Sequence, residues 1–223
     1  KLRAVLEATP ELGFLLPAFE GNDYQRLYRT VMEMDQEEVN RRLAPLIDRI
    51  VPAYEADRLD RSKEDFWAAR AVKTFCRPGH TDRGIFSIYL FNLVHLKRGE
   101  AIFQDAGILH AYLEGQNMEL MANSDNVLRG GLTPKHVDVP ELMKHVRFAP
   151  IEPELITGME LVGTSEEIFA SPAADFELHR LSLSAGESTE LTIRTADIFF
   201  VYEGQLEVFS GSARLERRQG EAF

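Results

Sequence analysis

Along the first third of the chain, apolar side chains recur every three or four positions; beyond about residue 84 the spacing drops towards two. Asp35 is placed to cap a helix in which Val39, Leu43, Leu46, Ile47, Ile50 and Tyr54 form one apolar stripe. Glu37, Glu38, Arg41, Arg42, Asp48 and Arg49 fall on the other side. Pro45 and Pro52 lie inside that span, so the pattern allows a kink or a split into two helices. Ser62 followed by Asp65 is a second start signal, ahead of a stripe of Phe66, Ala69, Val72 and Phe75. Arg77-Pro78-Gly79 is the turn that ends it. Leu2 to Leu6 and Tyr24 to Met32 read as shorter helices. No metal-ligand or nucleophile spacing occurs in residues 1–83, and their charges read as solvated faces.

From Gly84 onward the pattern predicts strands at Tyr89–Leu96, Ala101–Gln104, Met118–Met121, Phe176–Leu183, Glu190–Arg194, Ile198–Tyr202, Leu206–Phe209 and Ala213–Glu216. Glycine-bearing turns separate them, as at Lys97-Arg98-Gly99, Glu203-Gly204 and Ser210-Gly211. Many short strands at this spacing suggest a sandwich or jelly roll. One helix interrupts them: Asp138 and Glu141 make a capping box with Leu142, His145 and Val146 behind it. Residues 150–175, rich in Pro and Gly, read as a connection between two β units. Leu96-Lys-Arg-Gly-Glu-Ala-Ile-Phe103 is echoed by Leu215-Glu-Arg-Arg-Gln-Gly-Glu-Ala-Phe223, which hints at two related barrels. The chain opens on Lys1 without a charged-then-apolar leader and stops inside an apparent strand, so both ends read as cut.

Composition narrows the function. Of 223 residues, 44% are hydrophobic and 27% charged, which excludes a wholly disordered chain. Acids outnumber bases by 36 to 25, and a net charge of −11 repels phosphate backbones and anionic lipid. Neither nucleic acid nor a membrane surface is an expected partner, whereas a few local cations suffice for one phosphorylated metabolite. Cys76 is the only cysteine, which excludes a disulfide framework and an all-thiolate metal site and fits a reducing cytoplasm. No run of 18 apolar residues is present.

The candidate chemistry lies in residues 99–136. Gly99-x5-Asp105-x-Gly107-x2-His110 resembles the second motif of cupin barrels, with Asp105 where that motif has Pro. Such a His projects from a strand as a possible neutral ligand for a divalent ion. The flanking runs His110-Ala-Tyr-Leu-Glu-Gly115, Asn117-Met-Glu-Leu-Met-Ala-Asn-Ser-Asp-Asn126 and Arg129-Gly-Gly-Leu-Thr-Pro-Lys135 resemble type I mannose-6-phosphate isomerase. So does the approach Tyr89-Leu-Phe-Asn-Leu-Val-His-Leu-Lys97, and the match runs from about Gly84 to Pro150.

The resemblance implies a mostly β chain with an α-helical segment: cupin-type jelly-roll halves plus a helical insertion domain. Residues 1–83 would be the insertion, 84–153 the C-terminal half of the catalytic jelly roll, and 154–223 an incomplete second jelly roll. It implies Zn2+ as cofactor, His110 as one of four ligands, and Arg129 as the active-site arginine. Glu119, Tyr112 and Lys135 match residues of the same pocket. The family's other three ligands come from Gln-x-His and Asn-His-Lys-Pro-Glu motifs, which this sequence lacks. The implied reaction interconverts mannose 6-phosphate and fructose 6-phosphate by moving a proton between C1 and C2 through an enediol. A Lewis-acid zinc and a fixed cation suit the negative charge that an enediolate spreads over two oxygens. Arg129 offers a planar, permanently charged fork, and Gly130 and Gly131 remove bulk where a sugar must approach. Lys135 suits either the phosphate or proton transfer. Glu119 suits either acid–base work or the orientation of Lys135 or Arg129. Tyr112 reads equally as a barrel-wall aromatic, and Asn123, Asp125 and Asn126 as turn formers.

His95, His136, His145 and His179 lack ligand-spaced partners, His80 reads as a solvated residue of a Pro-Gly-His-Thr-Asp loop, Cys76 lacks a base, and Ser87, Ser124 and Ser171 lie outside any nucleophile-elbow pattern. Two readings result. One is a monomeric cytoplasmic isomerase of a small sugar phosphate, of which this chain carries only part of the site. The other is a noncatalytic sugar- or partner-binding cupin-like module.

Overall fold

The computed structural model describes residues 1–124 and 126–223, so the turn role expected of Asp125 lies outside the described residues. The helices are α1 (Leu2–Ala8), a 3-10 helix (Pro10–Asn22), α2 (Tyr24–Met32), α3 (Gln36–Glu55), α4 (Glu64–Phe75), α5 (Gly84–Leu90) and α6 (Val139–His145). The strands are β1 (Glu100–Ile102), β2 (Leu155–Thr157), β3 (Met159–Glu160), β4 (Glu166–Phe169), β5 (Leu178–Leu181), β6 (Gln205–Ser210) and β7 (Ala213–Arg218).

Every residue of the main buried cluster comes from a helix. The stripe of α3 supplies Val39, Leu43, Leu46 and Ile50, all with no exposed surface. Asp35 caps this helix, accepting from Glu38 N at 2.8 Å. Pro45 and Pro52 neither split nor end it: α3 is one helix of 20 residues. Burying the stripe outweighs the two backbone donors that proline removes. Ser62 does not cap α4. Asp60 captures it instead, accepting from Ser62 N at 2.8 Å and from its hydroxyl at 2.9 Å, and α4 starts at Glu64. Asp138 does cap α6, accepting from Glu141 N at 3.0 Å.

The strand expected at Tyr89–Leu96 is absent. Its first residues belong to α5, where Gly84 to Tyr89 are all buried. A short run that is apolar on every side reads the same for a buried helix as for a buried strand. The strands expected at Met118–Met121 and Glu190–Arg194 are also absent, and Ile198–Tyr202 reduces to a bridge between Phe200 and Ala222. Alternation marks where a strand can form, but a ladder needs a partner. No other described segment pairs with them in a ladder. Where partners exist the strands are present: β5 lies within Phe176–Leu183, and β6 and β7 cover Leu206–Phe209 and Ala213–Glu216. The three small sheets have the orders β1-β2, β3-β4-β5 and β6-β7.

The chain divides into two compact units. One comprises Lys1–Leu161 with Glu166–Arg180, the other Val162–Ser165 with Leu181–Phe223. In the first, β1 pairs antiparallel with β2, placing Ala101 opposite Ile156. The second is built on the β6–β7 hairpin, and Phe199 stacks on Phe223 with ring centroids 5.1 Å apart.

The sequence echo is a structural repeat. Glu100 N donates to Lys97 O at 3.0 Å, and Glu221 N donates to Arg218 O at 3.0 Å. The Glu100 carboxylate accepts from Lys97 N at 2.7 Å, and that of Glu221 from Arg218 N at 2.8 Å. Gly99 and Gly220 hold φ of +87° and +88°, the left-handed value this turn demands. Each turn leads into a paired residue, Ala101 to Ile156 and Ala222 to Phe200.

Candidate functional site

His110 is presented by a segment docked on the end of α6. After β1 the chain turns at Asp105, where Ile108 N donates to Asp105 O at 3.2 Å. Gly107 (φ +79°) lies so close to α6 that an added Cβ would stand 2.6 Å from the His145 carbonyl oxygen. Arg147 N donates back to Gly107 O at 3.0 Å. Leu109 then packs on the helical core while His110 is exposed. The Nδ1 of His110 lies 3.1 Å from the Ile108 carbonyl, which can only accept. Nδ1 therefore carries the proton, and the Nε2 lone pair is free for a metal or a donor.

The His110 ring meets Tyr112 edge-on, with centroids 5.8 Å apart. Tyr112 donates its hydroxyl proton to Glu119 at 2.7 Å. Partial burial and that carboxylate push the Tyr112 hydroxyl up to about 12, so it stays a donor at neutral pH. Glu119 is thus held by Tyr112, not by Lys135 or Arg129 as the sequence also allowed.

Arg129 opens a second segment, laid across the helical core. Gly130 sits against Tyr28, Leu142 and Leu109: an added Cβ would lie 2.9 Å from the Tyr28 hydroxyl, 3.7 Å from Leu142 and 3.6 Å from Leu109. The residue beside His110 and the residue beside Arg129 therefore occupy neighbouring places. Gly131 (φ +124°) abuts Gly84, the first residue of α5. These two glycines make room for protein backbone and side chains, where the sequence suggested room for a sugar. Arg129 is half-buried and Lys135 exposed. Among the described residues neither cationic head is held by a hydrogen bond or ion pair.

Asp82 was not visible as a site residue. It is buried and accepts from Gly84 N at 2.7 Å, Leu132 N at 2.9 Å and Thr133 N at 3.3 Å. An Asp two residues before an apolar helix is a recognisable start signal, but its partners fifty residues away are not. Cys76 accepts from Asp82 N at 3.3 Å, and burial pushes its thiol up, which suits a packed group and not a nucleophile. His145 pairs with Glu141 at 2.9 Å and His179 with Glu166 and Glu177.

His110, with Nε2 free and Nδ1 anchored on a carbonyl, fits one corner of a zinc site. Among the described residues no group of three or more His, Cys, Asp or Glu could hold a metal.

The fold is similar to that of about half of a solved mannose 6-phosphate isomerase. No family model matches the chain. Its likeness to individual proteins is nevertheless extensive: it is 34% identical to the mannose-6-phosphate isomerase of Escherichia coli (strain K12) over 221 residues, which is 99% of this chain and 54% of that protein. The mannose 6-phosphate isomerase of Salmonella typhimurium bound to its substrate fructose 6-phosphate and zinc superposes with a TM-score of 0.75 at 32% identity, covering 98% of this chain and 53% of that one. Its apo form gives 0.77 at 31% identity, with 99% and 55% covered. The likeness read from residues 84–150 to type I mannose-6-phosphate isomerases thus extends over nearly the whole chain. The chain spans about half the length of the curated relatives it matches.

Proposed function

We propose that this chain is the later part of a zinc-dependent aldose–ketose isomerase that interconverts mannose 6-phosphate and fructose 6-phosphate. The observation that carries this is the packing of Leu109 beside Gly130, which sets the segments of His110 and Arg129 side by side on one helical scaffold. The relatives' names and the bound zinc and fructose 6-phosphate of a solved neighbour favour catalysis over a noncatalytic binding module.

In this reading His110 offers Nε2 to zinc, and the remaining ligands come from outside the described residues. Bound zinc would supply Lewis-acid polarisation of a sugar oxygen. Arg129, permanently charged and without a protein partner among the described residues, steadies the negative charge that grows as the proton leaves carbon. Lys135, exposed on the same segment, neutralises the phosphate. Glu119 is a carboxylate acceptor held in place by the Tyr112 hydroxyl, which donates to it at 2.7 Å. Residues 1–83 form a helical insertion, 84–153 the second half of a catalytic jelly roll and 154–223 the opening of another, a division that the repeated Gly99 and Gly220 turns support.

The charge of −11 suits a small sugar phosphate gathered by local cations, with neither nucleic acid nor a membrane as partner. No helix among the described residues is long and apolar enough to cross a membrane. We take the protein to be a cytoplasmic monomer. The test is an isomerase assay of the whole gene product, with chelator and then zinc. Mannose 6-phosphate turnover that is lost on chelation and restored by zinc is expected; a zinc-loaded protein inert to both sugar phosphates contradicts the reading. The 223 residues alone are expected to be inactive.

A further inference from the structure

Asp82 spends its buried carboxylate on backbone donors from two separate stretches of chain. Oδ1 accepts from Gly84 N and from Leu132 N, and Oδ2 accepts from Thr133 N. Capping α5 would need only the first of these bonds. The other two reach the segment between Arg129 and Lys135. Backbone lies directly on backbone there: an added Cβ on Gly131 would stand 2.6 Å from Gly84 Cα, and one on Gly84 would stand 2.5 Å from Leu132 N. A buried carboxylate is costly unless its lone pairs are filled, and here the filling comes from the segment that bears both cations.

We propose that Asp82 is a positioning residue: by fixing Leu132 and Thr133 against the start of α5 it sets where Arg129 presents its charge. This rests on the isomerase reading above. A cation stabilises a developing oxyanion only if it is already in place when the charge appears, and supporting shells must hold such groups within about 0.5 Å. Asp82 acts through Arg129 and touches no substrate. The helical part of the chain thereby holds the loop of the active site.

The test is made on the whole gene product with Asp82→Ala, with the near-isosteric Asp82→Asn, and with each combined with Arg129→Ala. Asp82→Asn keeps the Oδ1 acceptor for Gly84 N and Leu132 N and loses only the bond to Thr133 N. Expected are a fall in kcat of at least tenfold in Asp82→Ala with KM within about twofold, unchanged zinc content, and recovery of most of kcat in Asp82→Asn. In the Arg129→Ala background the Asp82 substitutions should cost almost nothing more. Amide hydrogen exchange at Leu132 and Thr133 should quicken at least tenfold in Asp82→Ala while α3 is unaffected. Unchanged kcat, or losses that multiply in the double variants, would overturn the proposal, as would unchanged exchange. Should Asp82→Ala not fold, amide exchange at Thr133 that is no faster in Asp82→Asn, which has lost the bond from Thr133 N, would equally overturn it. An inactive wild-type protein would sink the isomerase reading, while exchange would still decide whether Asp82 anchors the loop.

Discussion

Glu100 and Glu221 make the same pair of bonds in the same kind of turn, each receiving through its carboxylate the backbone donor three residues earlier, at 2.7 and 2.8 Å. The glycines before them hold nearly identical positive φ. Gly220→Ala meets no atom within 4 Å, so its cost is conformational alone, about 1–2 kcal/mol. Gly99→Ala adds a contact at 3.0 Å with the far end of the Arg180 side chain, which can move. The two substitutions should therefore destabilise by similar amounts, measured by urea unfolding. A neutral Gly220→Ala would mean that this turn does not need its left-handed residue.

Tyr89 donates to Asp65 at 2.7 Å inside the helical core, and Asp65 also pairs with Arg49, which in turn holds Glu11. Burial and the neighbouring carboxylate keep the Tyr89 phenol protonated far above its ordinary value. Tyr89→Phe removes one bond and leaves Asp65 paired, for a loss of about 1–1.5 kcal/mol. Asp65→Ala strands a buried hydroxyl and half of the Arg49 network and should cost about 3 kcal/mol. Denaturant midpoints that reverse this order would contradict the network.

The helices could be read because each carries its own evidence: the α3 stripe, the Asp35 and Asp138 caps, and the span Tyr24–Met32 are local patterns. The 3-10 helix Pro10–Asn22 was missed, since its Gly13, Pro17 and Gly21 break any 3.6-residue period. The strands were legible only as tendencies, because pairing is decided elsewhere in the chain, and Glu190–Arg194 alternates without a partner to complete it. In the candidate site, His110, Arg129 and Lys135 lie in a recognisable motif, whereas the close packing of Gly130 and Gly131 against the helices exists only in the folded chain. Asp82 escaped because its bonds to Leu132 and Thr133 exist only in the folded chain.

His179 lies between Glu166, at 2.6 Å from Nδ1, and Glu177, at 2.5 Å from Nε2. Desolvation lowers its proton affinity, but the bonds to the two carboxylates outweigh it and the imidazole titrates above its ordinary value. Because the folded value exceeds the unfolded one, about 6.5, its contribution to the β4–β5 region is complete below that pH. It fades as pH rises through the folded value. A proton-NMR titration should place the His179 midpoint above 6.5, and His179→Ala should flatten the alkaline decline in stability. A midpoint at or below 6.5 would contradict the sandwich.

Arg129→Ala should lower kcat by about 100- to 1000-fold, the usual effect of losing one preorganised oxyanion partner, with zinc content unchanged. Arg129→Lys should recover little, since an ammonium lacks the planar fork. Parallel measurement of kcat and bound zinc decides the matter. Proportional loss of both would make Arg129 a scaffold residue.

The most direct test is an anomalous-scattering map at the zinc edge from crystals of the whole gene product. A peak about 2.0–2.1 Å from Nε2 of His110, with Nδ1 still on the Ile108 carbonyl, is the expected result. Zinc held by a ligand set that leaves His110 out, or bound through Nδ1, would contradict the account.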